Sequence, residues 1–462
     1  MAMRAVRWAA WLSVANVLYG AAPPPRDWVP ARWPWSDVKS LELLAGGPVN
    51  CILVKTYSAD FVGAATKQGL VVLAVVSGGE DTVAAARRAL AAGMMGIVLE
   101  GSSGMPAMRS AAGGALIVSL TARSRLPLAS DVPIIGTYQG VWPGIAIEEN
   151  GAKKAGPTGT IWIDTNGGYL RGVHASTDAA LWIANRPPPR TIITGERYLL
   201  VIADAAIAGA RWVLSLDEDF AGRLYRRQPA AMRDWRRIGE MVRYFEAHPE
   251  WRRMREYGRV VVVQSPLRSG LLSGGVLDMM ASNHMPARPV APESLTAEAI
   301  RDAAVVVNLD PGSLTAAQKK ELYDFAVAGG KLMTGAPPGK DAGPSGERIT
   351  LDTAEFERLD RLWNLLNSAF PRRDYGVSLF NAPSMISNVL ASAGGKTLVV
   401  HLVNYSDYPV EAVTARFPPD YRKAMLFTPE SGSRDLEISR GDGSSSVTVD
   451  RVTICATIQL EQ

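Results

Sequence analysis

The sequence predicts a three-part α/β chain: a (β/α)8 barrel, then a small parallel α/β domain, then a C-terminal antiparallel β-sandwich. Three observations carry this. Between residues 36 and 250, short branched apolar runs alternate with helical patterns, the sequence form of a (β/α)8 barrel. From Tyr257 the same alternation resumes on a smaller scale. From about Tyr375 the pattern changes to period-two strands separated by turns. A chain of 462 residues accommodates this number of units, at roughly 150 residues per domain. The boundaries read as 36–255 for the barrel, 256–370 for the α/β domain and 375–462 for the sandwich.

The chain opens with Arg4 and Arg7, an apolar stretch Trp8–Tyr19 and the small residues Gly20-Ala21-Ala22. A charged start, a short apolar segment and small residues form a secretory signal peptide over 1–22, so the expected location is periplasmic or secreted, and cytoplasmic if the segment is instead a buried element. No later window reaches 18 uninterrupted apolar residues, so no membrane span is expected.

Eight apolar runs are the predicted barrel strands: Cys51–Val54, Leu70–Val76, Gly96–Leu99, Leu116–Leu120, Val132–Ile135, Thr160–Ile163, Ala180–Ala184 and Trp212–Leu216. Each is short and branched, as strands buried on both sides are. Helical patterns fall at Ala59–Lys67, Thr82–Ala92, Tyr169–Ser176, Gly195–Ala208 and Ala230–Ala247. In the last, Ala231, Trp235, Ile238, Val242 and Phe245 recur at three- and four-residue steps and make one apolar face. The second unit reads as strands Arg259–Gln264, Ala303–Leu309 and Lys331–Thr334 with helices Gly275–Asn283, Thr315–Ala328 and Thr353–Ala369. In the third, Thr397–Asn404 places Leu398, Val400 and Leu402 on one face and Val399, His401 and Val403 on the other.

Composition excludes several classes. Lys plus Arg is 49 and Asp plus Glu 45, a net charge of +4 with no focused basic face, so nucleic acid is not an expected partner. Eleven arginines lie in 223–259, but interspersed with acids as on a solvated helix. Cys51 and Cys455 are the only cysteines, which removes disulfide frameworks, thiolate zinc sites and CxxC redox pairs. His174, His248, His284 and His401 have no ligand spacing, so neither a metal nor a cofactor is expected. Gly335–Asp341 lacks the length and the Ser/Thr of a phosphate loop.

Barrels of this kind place chemistry at the C-terminal ends of their strands. Three predicted strands end in acids: Glu100, Asp164 and Asp217. If Ile97 and Leu99 face the outer helices, alternation turns Glu100 inward. Ile161 and Ile163 likewise turn Asp164 and Asn166 inward, and Leu214 and Leu216 turn Ser215 and Asp217 inward. Glu218 points aside and joins the substrate-binding set. Lys55 and Arg186 supply cations at the mouth, and Tyr57, Tyr138, Trp142 and Tyr169 supply aromatic faces. Converging carboxyls beside aromatic rings suit glycosidic bond cleavage, in which one carboxyl protonates the leaving oxygen and another attacks or activates water. Glu100 is the expected general acid and Asp217 or Asp164 the nucleophile or base, with Lys55, Tyr57, Tyr138, Trp142, Asn166, Arg186 and Glu218 around the substrate. The competing account of acidic strand ends is that they cap helices and anchor loops, open to Asp219, Asp164 and Glu100 alike.

The later half resembles the family 42 β-galactosidases among the glycoside hydrolases. The run Ala303–Pro311, then Leu314-Thr315 and Leu322–Leu332, looks like their trimerisation domain of glutamine-amidotransferase-like fold. Leu398–Tyr405 looks like the start of their terminal β domain. The resemblance implies a barrel, an amidotransferase-like domain and a β domain, a carbohydrate substrate, and homo-oligomerisation through 256–370. The barrel departs from that family, which carries its acid/base in an Asn-Glu pair on the fourth strand; no such dipeptide occurs here, so no family catalytic residue is carried over. With no cysteine in the amidotransferase-like domain, that domain lacks the usual nucleophile. Two other classes compete with a hydrolase: a non-catalytic carbohydrate-binding protein on a degenerate hydrolase scaffold, and a structural assembly subunit.

Overall fold

The computed structural model describes residues 23–77, 81–101, 116–122, 125–126, 128, 132–138, 145–147, 153–155, 166–266, 270–335, 353–441 and 443–462. The expected signal segment 1–22 and the expected strand Thr160–Ile163 lie outside them.

The first domain is a closed ring of eight parallel strands. They are β1 (Pro30–Arg32), β2 (Cys51–Val54), β3 (Val71–Ser77), β4 (Gly96–Glu100), β5 (Leu116–Thr121), β6 (Ile134–Thr137), β7 (Ala180–Ile183) and β8, which runs as Ala210–Trp212 and Leu214–Ser215 with only Val213 between. β8 closes the ring because its first half pairs with β7 and its second half with β1. Following the register from Arg211 through Trp182, Gly136, Leu120, Glu100 and Ser77, and carrying the last offsets back to β8, arrives at position 219. That slip of eight is the shear of a (β/α)8 barrel.

Two corrections to the strand reading follow. β1 was not expected. β6 pairs directly with β7, so the ring has no place between them for Thr160–Ile163.

Alternation sorts the side chains as a barrel requires. Cys51, Leu53, Leu73, Val98, Leu120 and Trp182 fill the lumen, with Trp28 beneath them. Ile52, Val72, Ile97, Leu99, Leu181 and Leu214 face outward into the helical layer. Those outer helices include α1 (Ala59–Lys67), α2 (Thr82–Ala91), α3 (Asn166–His174), α4 (Gly195–Ile207), α5 (Glu218–Tyr225) and α6 (Pro229–Glu246). Their starts are chemically marked: Ser58, Asp81, Thr194 and Asp217 each accept a hydrogen bond from the third backbone N–H of the helix that follows. Pro229 opens α6, where a missing N–H costs nothing.

The second domain has a parallel sheet in the order β10 (Ala287–Val290), β9 (Val260–Val263), β11 (Val305–Asn308), β12 (Lys331–Thr334), with α7 (Gly270–Ser282), α8 (Ala316–Val327) and α9 (Thr353–Ala369) around it. Val260–Val263 is buried throughout because helices cover both faces. The third domain pairs two antiparallel sheets. One contains β13 (Met385–Ala391), β14 (Thr397–Asn404), β16 (Lys423–Thr428) and β18 (Cys455–Glu461); the other contains β15 (Val410–Phe417) and β17 (Ser444–Val452).

β14 explains its own composition. Leu398, Val400 and Leu402 lie in the sandwich core. Val399 and Val403 join the outer core of the barrel. Both faces are therefore dry over most of the strand, and the buried polar side chain on the barrel face, His401, meets the Thr457 hydroxyl at 2.9 Å. The barrel docks on the second domain through α3 and α7: Gly168 donates to the Asp278 carboxylate at 2.7 Å, and Arg171 binds Glu256 through two hydrogen bonds of 2.9 Å.

Candidate active site at the barrel mouth

Glu100 ends β4 on the same side as Val98, so it projects into the lumen at the C-terminal rim. Its Oε1 lies 2.6 Å from Arg32 Nη1 and its Oε2 2.6 Å from Arg186 Nη2. Arg32 ends β1 and Arg186 follows β7, so three strand ends meet across the ring. Glu100 and Arg32 are largely covered, at 19% and 12% side-chain exposure, whereas Arg186 is 55% exposed. Burial pushes the Glu100 carboxyl up, but the charges and hydrogen bonds of Arg32 and Arg186 together outweigh it and hold it below the usual range. Burial lowers the Arg32 guanidinium, partly restored by Glu100 and lowered further by the like charge of Arg186.

This arrangement is the reverse of what a general acid needs. Glu100 is an ionised carboxylate, suited to attack or to activate water and unsuited to the proton-donor role expected from sequence.

Asp217 is also not what the sequence suggested. It sits one residue before α5 and is 3% exposed. Its Oδ1 accepts from Phe220 N–H at 3.0 Å; its Oδ2 accepts from the Tyr198 hydroxyl at 2.9 Å and Ile193 N–H at 3.3 Å. Tyr198 in turn accepts from the Asp217 N–H at 2.7 Å. Burial raises the Asp217 carboxyl, with those hydrogen bonds opposing. Both oxygens are spent on capping a helix and fastening α4 to the closing strand, so the helix-cap account holds for this residue.

The remaining expected residues divide. Lys55 follows β2, on the lumen side by alternation from Leu53, and is exposed. Tyr138 follows β6 and is 43% exposed. Tyr57 packs against the outer core instead of standing over the lumen. Tyr169 is 1% exposed inside α3, in the outer layer. Asn166 opens α3 and Glu218 opens α5, where it is exposed. Asp164 and Trp142 lie outside the described residues.

Sequence reasoning missed Arg32, because β1 is three residues long and carries no apolar run. It also missed an aromatic cluster after β1, which packs on the outer core: Trp35 lies 5.6 Å from Tyr225 and 4.8 Å, edge-on, from Trp33. Trp33-Pro34-Trp35 was the available signal. Asn185, beside Arg186, is 3% exposed with neither amide atom partnered; nothing in the structure explains it. Among the described residues no group of His, Cys, Asp and Glu has the arrangement of a metal site.

No protein-family model matches the chain, and no curated protein matches it. Among solved structures, α-L-fucosidase isoenzyme 2 from Paenibacillus thiaminolyticus is similar with a TM-score of 0.59 at 12% identity, over 92% of this chain and 96% of that one. The β-galactosidase from Rahnella sp. R3 is similar with a TM-score of 0.55 at 8% identity, over 91% and 95% of the two chains. At such identities the likeness concerns the fold: nearly the whole chain follows the same architecture as these two glycoside hydrolases.

Proposed function

We propose that the protein is a glycoside hydrolase whose reaction takes place at the barrel mouth. The observation that carries this is Glu100, an ionised carboxylate projecting into the lumen at the end of β4, where barrel enzymes keep their chemistry. Glu100 serves as nucleophile or as base for a water. The acid is a second carboxyl from the loops over the mouth, and Asp164 is the candidate the sequence offers. Arg186, Lys55, Tyr138, Trp142, Asn166 and Glu218 are the proposed substrate contacts. Export follows if residues 1–22 act as a signal; among the described residues no helix is long and apolar enough to cross a membrane.

The test is a chromogenic glycoside panel that includes an α-L-fucoside and a β-D-galactoside, the substrates suggested by the names of the two similar enzymes. Glu100→Gln and Asp164→Asn are each expected to lower hydrolysis of a cleaved sugar by roughly 100-fold or more. Full activity in both variants would sink the assignment.

A second reading, a carbohydrate-binding protein without activity, is favoured by one observation. Each Glu100 oxygen already accepts from an arginine, which blunts a nucleophile. It predicts saturable oligosaccharide binding with no product at high protein loading. Self-association through 256–370 belongs to the proposal as well. Tyr323, Val327 and Leu365 there are 67%, 70% and 62% exposed, a large apolar presentation for α8 and α9.

A further inference from the structure

Among the described residues, the charges that face the mouth do not balance. Arg32 and Arg186 share the single carboxylate of Glu100, which leaves one positive charge over. Lys55 stands on the neighbouring strand end, on the same side of β2 as Leu53, and adds a second; it makes no ion pair with a described residue. The described acids nearby do not offset them. Asp217 is turned into the start of α5 and the Tyr198 hydroxyl, Asp219 is paired with Arg223 at 2.7 Å, and Glu218 lies out on the first turn of α5.

One member of this cationic cluster is also poorly hydrated. Arg32 is 12% exposed and its Nε has no hydrogen-bond partner. A covered charge without a full counter-charge costs free energy unless something arrives to neutralise it. Arg186 spends one Nη on Glu100 and, at 55% exposure, keeps the rest of its fork for the mouth. A planar fork and a mobile ammonium make a carboxylate clamp. A neutral sugar gains hydrogen bonds from it but no charge pairing.

From these charges we infer that the mouth selects an acidic sugar, a hexuronate whose carboxylate is held by Arg186 and Lys55 above the Arg32–Glu100 pair. The inference rests on the carbohydrate reading above and narrows its substrate class.

The experiment uses the full chain and calorimetric titration with glucuronate, galacturonate and mannuronate oligosaccharides. Their fully methyl-esterified forms keep the ring and lose the charge, and a sulfated disaccharide supplies an anion of different shape. At least one uronate is expected to bind about tenfold or more tightly than its ester, a gap that narrows in high salt. Arg186→Gln and Lys55→Gln are expected to close the gap, with thermal melts confirming that both variants fold. Lys55 is exposed, so its variant keeps the test usable if the arginine variant unfolds. Equal binding of acid and ester, an advantage that survives both substitutions, or a sulfate preferred over every uronate would overturn the inference. Cleavage or binding of neutral sugars with no gain from the acid removes this inference and leaves the carbohydrate reading standing. No saccharide bound or cleaved removes both.

Discussion

Glu100 and Asp217 look alike in the sequence, each an acid at the end of a branched apolar run, and the fold gives them opposite tasks. Alternation placed Glu100 on the lumen side, and that much was legible because Ile97 and Leu99 fix the outward face. Its protonation state was not legible, since it depends on Arg32 and Arg186, which lie 68 positions before it and 86 after it in the chain. Asp217→Ala removes a helix cap and the acceptor that the Tyr198 hydroxyl and Ile193 N–H share. A loss of roughly 2–4 kcal/mol in chemical denaturation is expected, with the activity per folded molecule retained. Glu100→Gln should do the reverse in kind: it abolishes turnover while secondary structure by circular dichroism stays unchanged. It also leaves two guanidiniums facing each other, so a modest drop in melting temperature accompanies it.

Elements were legible where burial is uniform. Ala59–Lys67 and Thr397–Asn404 are found with the bounds their periodicity gives, because a strand dry on both faces or a helix with one apolar stripe announces itself. β1 escaped because Pro30-Ala31-Arg32 offers a single outward apolar residue and its other partners are backbone groups of β2 and β8. Ala287–Val290 escaped for a similar reason: Arg288 and Pro289 break the apolar run. Nor does sequence show that α3 and α7 touch backbone to backbone. A Cβ added at Gly168 would overlap the Gly274 carbonyl, and one at Gly274 would press on the Tyr169 backbone. Neither neighbour can yield, so Gly168→Val is expected to cost about 3 kcal/mol or more and to expose the junction of the first two domains to limited proteolysis. Gly63→Ala on α1 meets open space and serves as the silent control.

At the scale of the whole molecule, the sandwich and the barrel share one core, and that junction carries a titration. Burial, then the nearby His248, lowers His401 to about 3. It faces Thr457, Trp251 and Phe245, beside a cavity of about 20 Å³, room for one water, that Arg252, Glu256 and His174 also line. An ordinary histidine titrates near 6.5, so the unfolded chain takes up a proton first. The contribution of His401 is therefore complete above pH 6.5 and lost as the pH falls toward 3, up to about 5 kcal/mol in all. Asp204, raised to about 6 by burial, with the Tyr405 hydrogen bond and the Arg197 charge opposing, acts in the opposite sense and loses stability as the pH rises from 3.8 to 6. Melting curves from pH 8 to 4.5 should show a shallower acid limb for His401→Gln than for the parent chain. In light scattering, Val327→Asp combined with Leu365→Asp should convert any oligomer to monomer. The closing strand β8 has one more effect on the molecule. Its two neighbours, β7 and β1, are the strands that deliver Arg186 and Arg32, so the stitch that holds both cations around their shared acid is made by residues 210–215. Weakening that stitch should loosen the charge triad before it loosens either of the other two domains.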